Sequence, residues 1–253
     1  AQPGAPYTVL NLDSIYRIQG SFVLYDYHKD HYSIYNSEKA NTEYPVHSTS
    51  KITWSVIALE EGLVSEGEEV MNWDSISYPR QDWWPGGWAQ GNTIVTALNK
   101  SVNWYYIELL SAMTPEMIEK YLDKLDYKRG FNVERIHYFG LTYAIKKSAI
   151  SQVDFLKRLY TNETGITEKT LKILKQGLLN RQTEGYTLYT KTGLGPADEE
   201  QGIGWYIGFI EKGDDLYFFA LNVLDRDELA ASQLRIDYGM RVLRALGILT
   251  PGQ

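Results

Sequence analysis

After Pro45 the apolar residues Ile52, Val56, Ile57 and Leu59 recur at helical spacing, which predicts a helix beginning near Ser48. Two aromatic and β-branched runs, residues 20–27 and 32–35, flank the polar turn His28-Lys29-Asp30-His31 and predict a hairpin. A second strand block is predicted at residues 186–191, 203–211 and 216–223, with Gly213-Asp214-Asp215 turning the last two. Residues 234–246 then read as an amphipathic helix stopped by Gly247, with Pro251 beyond.

The middle of the chain is helical in pattern. Thr114-Pro115-Glu116 reads as an N-cap, a proline at the first helical position and an acid in the first turn. Residues 149–161 and 167–180 predict two further helices. Strands at both ends with helices between them predict an α+β fold in a single domain over 1–253. In it, a central antiparallel sheet is completed by both termini and flanked by helices, with a mainly helical lobe over roughly 64–182. A site is expected in a cleft between sheet and lobe. Asp82-Trp83-Trp84-Pro85-Gly86-Gly87-Trp88 fits neither pattern, and its tryptophans are expected to anchor the core rather than wall a cleft.

Composition narrows the function classes. A chain of 253 residues can bury one large core or two lobes sharing a cleft. With 43% hydrophobic and 23% charged residues it is globular rather than disordered. A net charge of −7 argues against nucleic acid as a partner, so an anionic ligand must be caught by locally placed Lys or Arg. Cysteine is absent, which excludes disulfides and thiolate metal sites. Of the four histidines, 28, 31, 47 and 137, only His28 and His31 are close in the chain; they are expected to decorate the hairpin, and no metal is expected. No apolar run reaches 18 residues, so no membrane-spanning segment is expected. Ala1-Gln2-Pro3-Gly4 reads as a processed terminus, which makes an exported, periplasmic or extracytoplasmic location the expectation.

Three short strings carry candidate chemistry. In Ser48-Thr49-Ser50-Lys51, a helix places Ser48 and Lys51 one turn apart, a nucleophile beside a base if burial keeps the amine neutral. The alternative is a solvated helix face. Ser101-Val102-Asn103 sits in the helix that continues into Trp104-Tyr105-Tyr106, and Lys191-Thr192-Gly193 ends a strand, offering a cation and a hydroxyl to a carboxylate.

Ser-x-x-Lys, then Ser-x-Asn about fifty residues on, then Lys-Thr-Gly followed by Gly204-Trp205-Tyr206-Ile207-Gly208, resembles the penicillin-recognising serine enzymes. Within them the chain resembles the class D β-lactamases, or oxacillinases, and the sensor domains of penicillin receptors, which share their fold. Gly20-Ser21-Phe22-Val23 is similar to the family's first core strand, and Ser148–Leu156 to its mid-domain helix. Leu234-Arg235, twelve residues before Gly247, falls where the family has a carboxylate-binding arginine. The resemblance runs from about residue 12 to the C-terminus and implies the serine β-lactamase/penicillin-binding fold.

It also implies roles. Ser48 would be acylated by β-lactams with Lys51 as base; the N–H groups of Ser48 and Leu194 would form the oxyanion hole. Ser101 would relay a proton, and Lys191, Thr192, Gly193, Arg235 and Asn103 would contact the substrate. The implied partners are β-lactam small molecules, with no metal and no organic cofactor. In the oxacillinases a CO2-derived carbamate on the lysine activates the deacylating water. Ser50, Asn103 and Gly140 replace an aromatic, a valine and a tryptophan of that pocket, so a carbamate on Lys51 is not expected, and Tyr127-Lys128-Arg129 in place of the family's Tyr-Gly-Asn marks a divergent member. Asn103 in particular can accept a hydrogen bond from ammonium and so favours a charged lysine. The readings that follow are a class D-type hydrolase of low activity, or a receptor sensor domain or penicillin-binding protein that is acylated and holds its adduct, with a degenerate relative that no longer reacts as the bland alternative.

Overall fold

The computed structural model describes residues 6–12, 19–127 and 144–250. The positions discussed above at 1–4, 128, 129, 137, 140 and 251 lie outside the described residues. The N-terminal part supplies β1 (Tyr7–Val9), β2 (Gly20–Asp26) and β3 (His31–Tyr35). Four two-residue strands follow, β4 (Tyr44–Pro45), β5 (Val70–Met71), β6 (Asn92–Thr93) and β7 (Lys146–Lys147), pairing as β4 with β7 and β5 with β6. The C-terminal part supplies β8 (Leu179–Gln182), β9 (Thr187–Pro196), β10 (Gly202–Lys212) and β11 (Asp215–Asp225).

Seven strands form one sheet in the order β1-β3-β2-β11-β10-β9-β8, so strands from the two ends of the chain meet at the β2–β11 pair. Among the described residues, only β1 and β3 run parallel. Both faces are covered. Val23, Tyr25, Trp205, Ile207 and Phe218 pack toward the helical part, while Phe22, Leu24, Tyr206, Phe219 and Leu221 pack against the C-terminal helix through Val242 and Leu243. Burial on both sides is why β10 and β11 read as nearly unbroken apolar runs instead of alternating ones.

The expected elements are present with shifted ends. The C-terminal helix spans Glu228–Ala245 rather than starting at 234, because Asp227 caps it by accepting a hydrogen bond from Leu229 N–H at 2.8 Å. The helix predicted over 167–180 is Glu168–Leu178, and the next residues leave it to pair with β9 as β8. Lys191-Thr192-Gly193 does not end its strand: β9 continues to Pro196, opposite Gly202 of β10. Helix Lys51–Glu60 is buried from Lys51 through Ala58, a core helix with no solvent face over those positions. It runs from the sheet edge into the helical part and thereby fixes where Ser48 stands.

Candidate active site

Ser48 is not on the α-helix itself. It lies in a 3₁₀ turn, His47–Ser50, that leads into helix Lys51–Glu60. Hydroxyls on either side tie this turn inward: Thr49 Oγ1 donates to Val46 O at 2.8 Å and Ser50 Oγ to His47 O at 2.6 Å. Gln152 Nε2 donates to Thr49 Oγ1 at 3.0 Å, and Trp54 Nε1 to Ser50 Oγ at 3.0 Å. The neighbours of Ser48 are thus committed to the interior, while Ser48 is half-buried and lines a cleft of about 440 Å³.

Lys51 lies beneath it at 0% exposure. Its Nζ donates to Ser48 Oγ at 2.9 Å and to Asn103 Oδ1 at 2.8 Å, and lies 5.5 Å from the centre of the Tyr106 ring. Burial, and then the charge of Lys191, push the ammonium well below the ordinary lysine range. The Asn103 acceptor favours the charged form, as its chemistry requires, but burial outweighs it. The amine is held where it can take a proton from Ser48.

The second string is not helical at its first residue. Ser101 caps helix Ile94–Lys100 in the left-handed conformation, φ 59°, and Asn103 opens the next helix, Asn103–Ser111. Val102 between them is fully buried and pins the corner. That turn aims Ser101 Oγ at Lys191, whose Nζ donates to it at 3.0 Å. Lys191 is buried, and burial together with the Arg235 charge pushes it down to about 7.

The third string lies on a free stretch of edge. β8 pairs with β9 only at residues 187–189, so residues 190–196 have β10 on one side and the Ser48 turn on the other. Two glycines permit this approach. A Cβ at Gly193 would stand 2.9 Å from Val46 O, and one at Gly195 would stand 2.4 Å from the His47 ring. His47 itself holds φ 46° and places Nε2 2.9 Å from Pro196 O, while Trp205 Nε1 donates to Pro45 O at 2.8 Å. These contacts lash the nucleophile turn to the strand that carries Leu194. Arg235 Nη1 donates to Gly193 O at 2.7 Å, its Nε has no hydrogen-bond partner among the described residues, and burial lowers the guanidinium to about 10.

Ser48, Ser101, Asn103, Thr192, Gly193, Leu194 and Arg235 therefore line one cleft, with Lys51 and Lys191 buried behind it. The tryptophan loop divides. Trp88 is 4% exposed and anchored, its Nε1 donating to Lys100 O and its carbonyl accepting from Trp104 Nε1. Trp83 is 66% exposed and lines the cleft, so the core-anchor expectation fails there. Sequence reading also passed over His47, Trp205 and Lys100; the isolated positive-φ histidine and the lysine beside Ser101 carry no pattern that would have marked them. Among the described residues no group of His, Cys, Asp and Glu could hold a metal ion. His28 and His31 contact Asp214 O and Thr8 Oγ1 on the hairpin's own sheet.

A profile of the penicillin binding protein transpeptidase domain matches residues 20–237. The chain belongs to that family. Within the family it is similar to two kinds of protein. It is 27% identical over 230 residues to the regulatory protein BlaR1 of Bacillus licheniformis, covering 90% of this chain and 37% of BlaR1. It is 31% identical over 208 residues to the β-lactamase OXA-48 of Klebsiella pneumoniae, covering 82% of this chain and 76% of that enzyme. The chain thus spans little more than a third of the first curated relatives it matches. Among solved structures, the C-terminal domain of the Bacillus licheniformis BlaR penicillin receptor aligns at a TM-score of 0.86 and 25% identity, over 98% of this chain and 99% of that one. A class D β-lactamase from Sebaldella termitidis aligns at 0.85 and 30% identity, over 98% and 100%. The fold is that of the class D β-lactamases and the BlaR sensor domain.

Proposed function

We propose that this transpeptidase-family domain is acylated at Ser48 by β-lactams and, as a class D-type serine β-lactamase, hydrolyses them slowly. The observation that carries the reading is the cluster in which Lys51 Nζ reaches Ser48 Oγ at 2.9 Å and Lys191 Nζ reaches Ser101 Oγ at 3.0 Å, with both serines lining one cleft. Lys51, kept neutral by burial, takes the Ser48 proton as Oγ bonds to the lactam carbonyl carbon. The N–H groups of Ser48 and Leu194 hold the oxyanion that forms. Ser101 relays a proton to the leaving nitrogen as the C–N bond breaks, so the proton taken from Ser48 returns to the product amine. Lys191, Thr192, Gly193 and Arg235 receive the ring carboxylate, with Asn103 on the opposite wall, which supplies the local cations that an acidic protein needs.

A second reading, a receptor-type domain that keeps its adduct, is favoured by one contact. Asn103 Oδ1 accepts from Lys51 Nζ at 2.8 Å. A neutral lysine is the form that combines with CO2, and the Asn103 Oδ1 beside Nζ is an acceptor, matched to the N–H of an amine and repelled by the oxygens of a carbamate. The Asn103 oxygen does not fit that group, and no step is assigned to it. An extracytoplasmic location, where β-lactams act, belongs to the same proposal. The deciding experiment follows intact mass for an hour after excess benzylpenicillin, with and without bicarbonate. An adduct that clears as drug is consumed supports the hydrolase. One that persists supports the receptor reading, and no adduct contradicts both.

A further inference from the structure

The cleft carries a cation that the proposed chemistry does not use. Lys100, the last residue of helix Ile94–Lys100, is exposed and lines the same cleft as Ser48. Its backbone carbonyl accepts from Trp88 Nε1 at 2.9 Å, which ties this point of the chain to the tryptophan loop. Its side chain lies on that loop as well: a Cβ at Gly87, which holds φ 86°, would stand 2.6 Å from Lys100 Nζ. The ammonium is thus pressed against the segment that presents Trp83. Among the described residues Lys100 makes no ion pair. Trp83 projects from the same segment with its ring 5.7 Å from that of Trp88 at 74°.

Charge decides what this wall accepts. The chain has a net charge of −7, yet among the described residues no Asp or Glu lines the cleft. Arg235, with Lys191 behind it, belongs to the strand side and is occupied by the ring carboxylate in the function proposed above. Lys100 is a second, separate cation on the side of Ser101. An exposed indole and an ammonium with no ion pair among the described residues, lining one cleft, suit a ligand portion that is both aryl and anionic.

We infer that Trp83 and Lys100 form a specificity subsite for the acyl side chain, and that the protein prefers β-lactams bearing a second negative charge there. This rests on the β-lactam reading and names its substrate class. Aryl groups stack on Trp83, and Lys100 attracts an anion on the carbon that joins the aryl group to the amide.

Benzylpenicillin, carbenicillin and ampicillin test this directly, because their side chains share one aryl framework and differ at that carbon by hydrogen, carboxylate and ammonium. Second-order acylation constants are measured by competition with a fluorescent penicillin. The carbenicillin-to-ampicillin ratio is expected to fall about two- to fivefold in Lys100→Ala, the worth of one solvent-exposed ion pair. It is expected to fall further in Lys100→Glu, to be restored in Lys100→Arg, and to shrink in the wild type as salt is raised. A ratio equal in wild type, Lys100→Ala and Lys100→Glu overturns the inference while leaving the β-lactam reading intact. Failure of all three drugs to acylate the wild type overturns that reading and this one together.

Discussion

Asn103 Oδ1 accepts a hydrogen bond from Lys51 Nζ at 2.8 Å, across the corner where helix Asn103–Ser111 meets helix Lys51–Glu60. The same Nζ reaches Ser48 Oγ at 2.9 Å, so one amine is shared between the nucleophile and an amide. The amide makes the amine more comfortable with its proton, and burial makes it less so. The balance suits acylation, which needs a base once, better than rapid deacylation, which needs one again.

Replacing that amide is the first prediction. Asn103→Val removes the amide acceptor and puts an apolar group beside Nζ, which favours the neutral form of Lys51. Turnover of benzylpenicillin in bicarbonate is expected to rise by roughly tenfold, the worth of one hydrogen bond involving a charged group. Steady-state hydrolysis followed by absorbance checks it, and an unchanged rate removes Asn103 as the determinant.

Stability should respond to pH through the buried lysines. Lys191 is held at about 7, against 10.5 for an ordinary lysine. Between those values the unfolded chain binds a proton that the folded chain does not, so stability rises with pH across that window. Lys51 is displaced in the same direction and adds to the trend. Calorimetric Tm is therefore expected to increase from about pH 7 to about pH 9, and Lys191→Met is expected to flatten the increase. An equal slope in the variant contradicts the assignment.

Much of this architecture was legible in the sequence, because its elements have conventional physics. The β2–β3 hairpin is an aromatic, β-branched pair of runs around a polar turn, and Thr114-Pro115 opens a helix as its capping chemistry predicts. What escaped was set by close approach. Gly193 and Gly195 make β9 look as if it stops, although their bareness is what admits the Ser48 turn against a strand that continues. Ser101 read as helical because Trp104 and Tyr105 follow at helical spacing, whereas burial of Val102 forces the chain through a left-handed corner first. Trp83 and Trp88 are the same residue type in one loop and both line the cleft, and only packing separates the exposed ring from the buried anchor.

That close approach can be tested on its own. A methyl group at Gly195 meets three atoms of the His47 ring at 2.4 to 2.8 Å, and the ring is already committed to Pro196 O. Gly195→Ala is expected to cost about 1–3 kcal/mol of stability by overpacking and to slow acylation by moving the turn that bears Ser48. Denaturant unfolding together with acylation kinetics checks both effects. A variant with wild-type stability and rate shows that the turn does not depend on this contact.

The central claim is that Ser48 is the residue acylated, and intact-protein mass measured on wild type and Ser48→Ala after benzylpenicillin tests it most directly. The account predicts a gain of one drug mass on the wild type, located by digestion to the peptide containing Ser48, and no gain on the variant. Equal labelling of Ser48→Ala would contradict it.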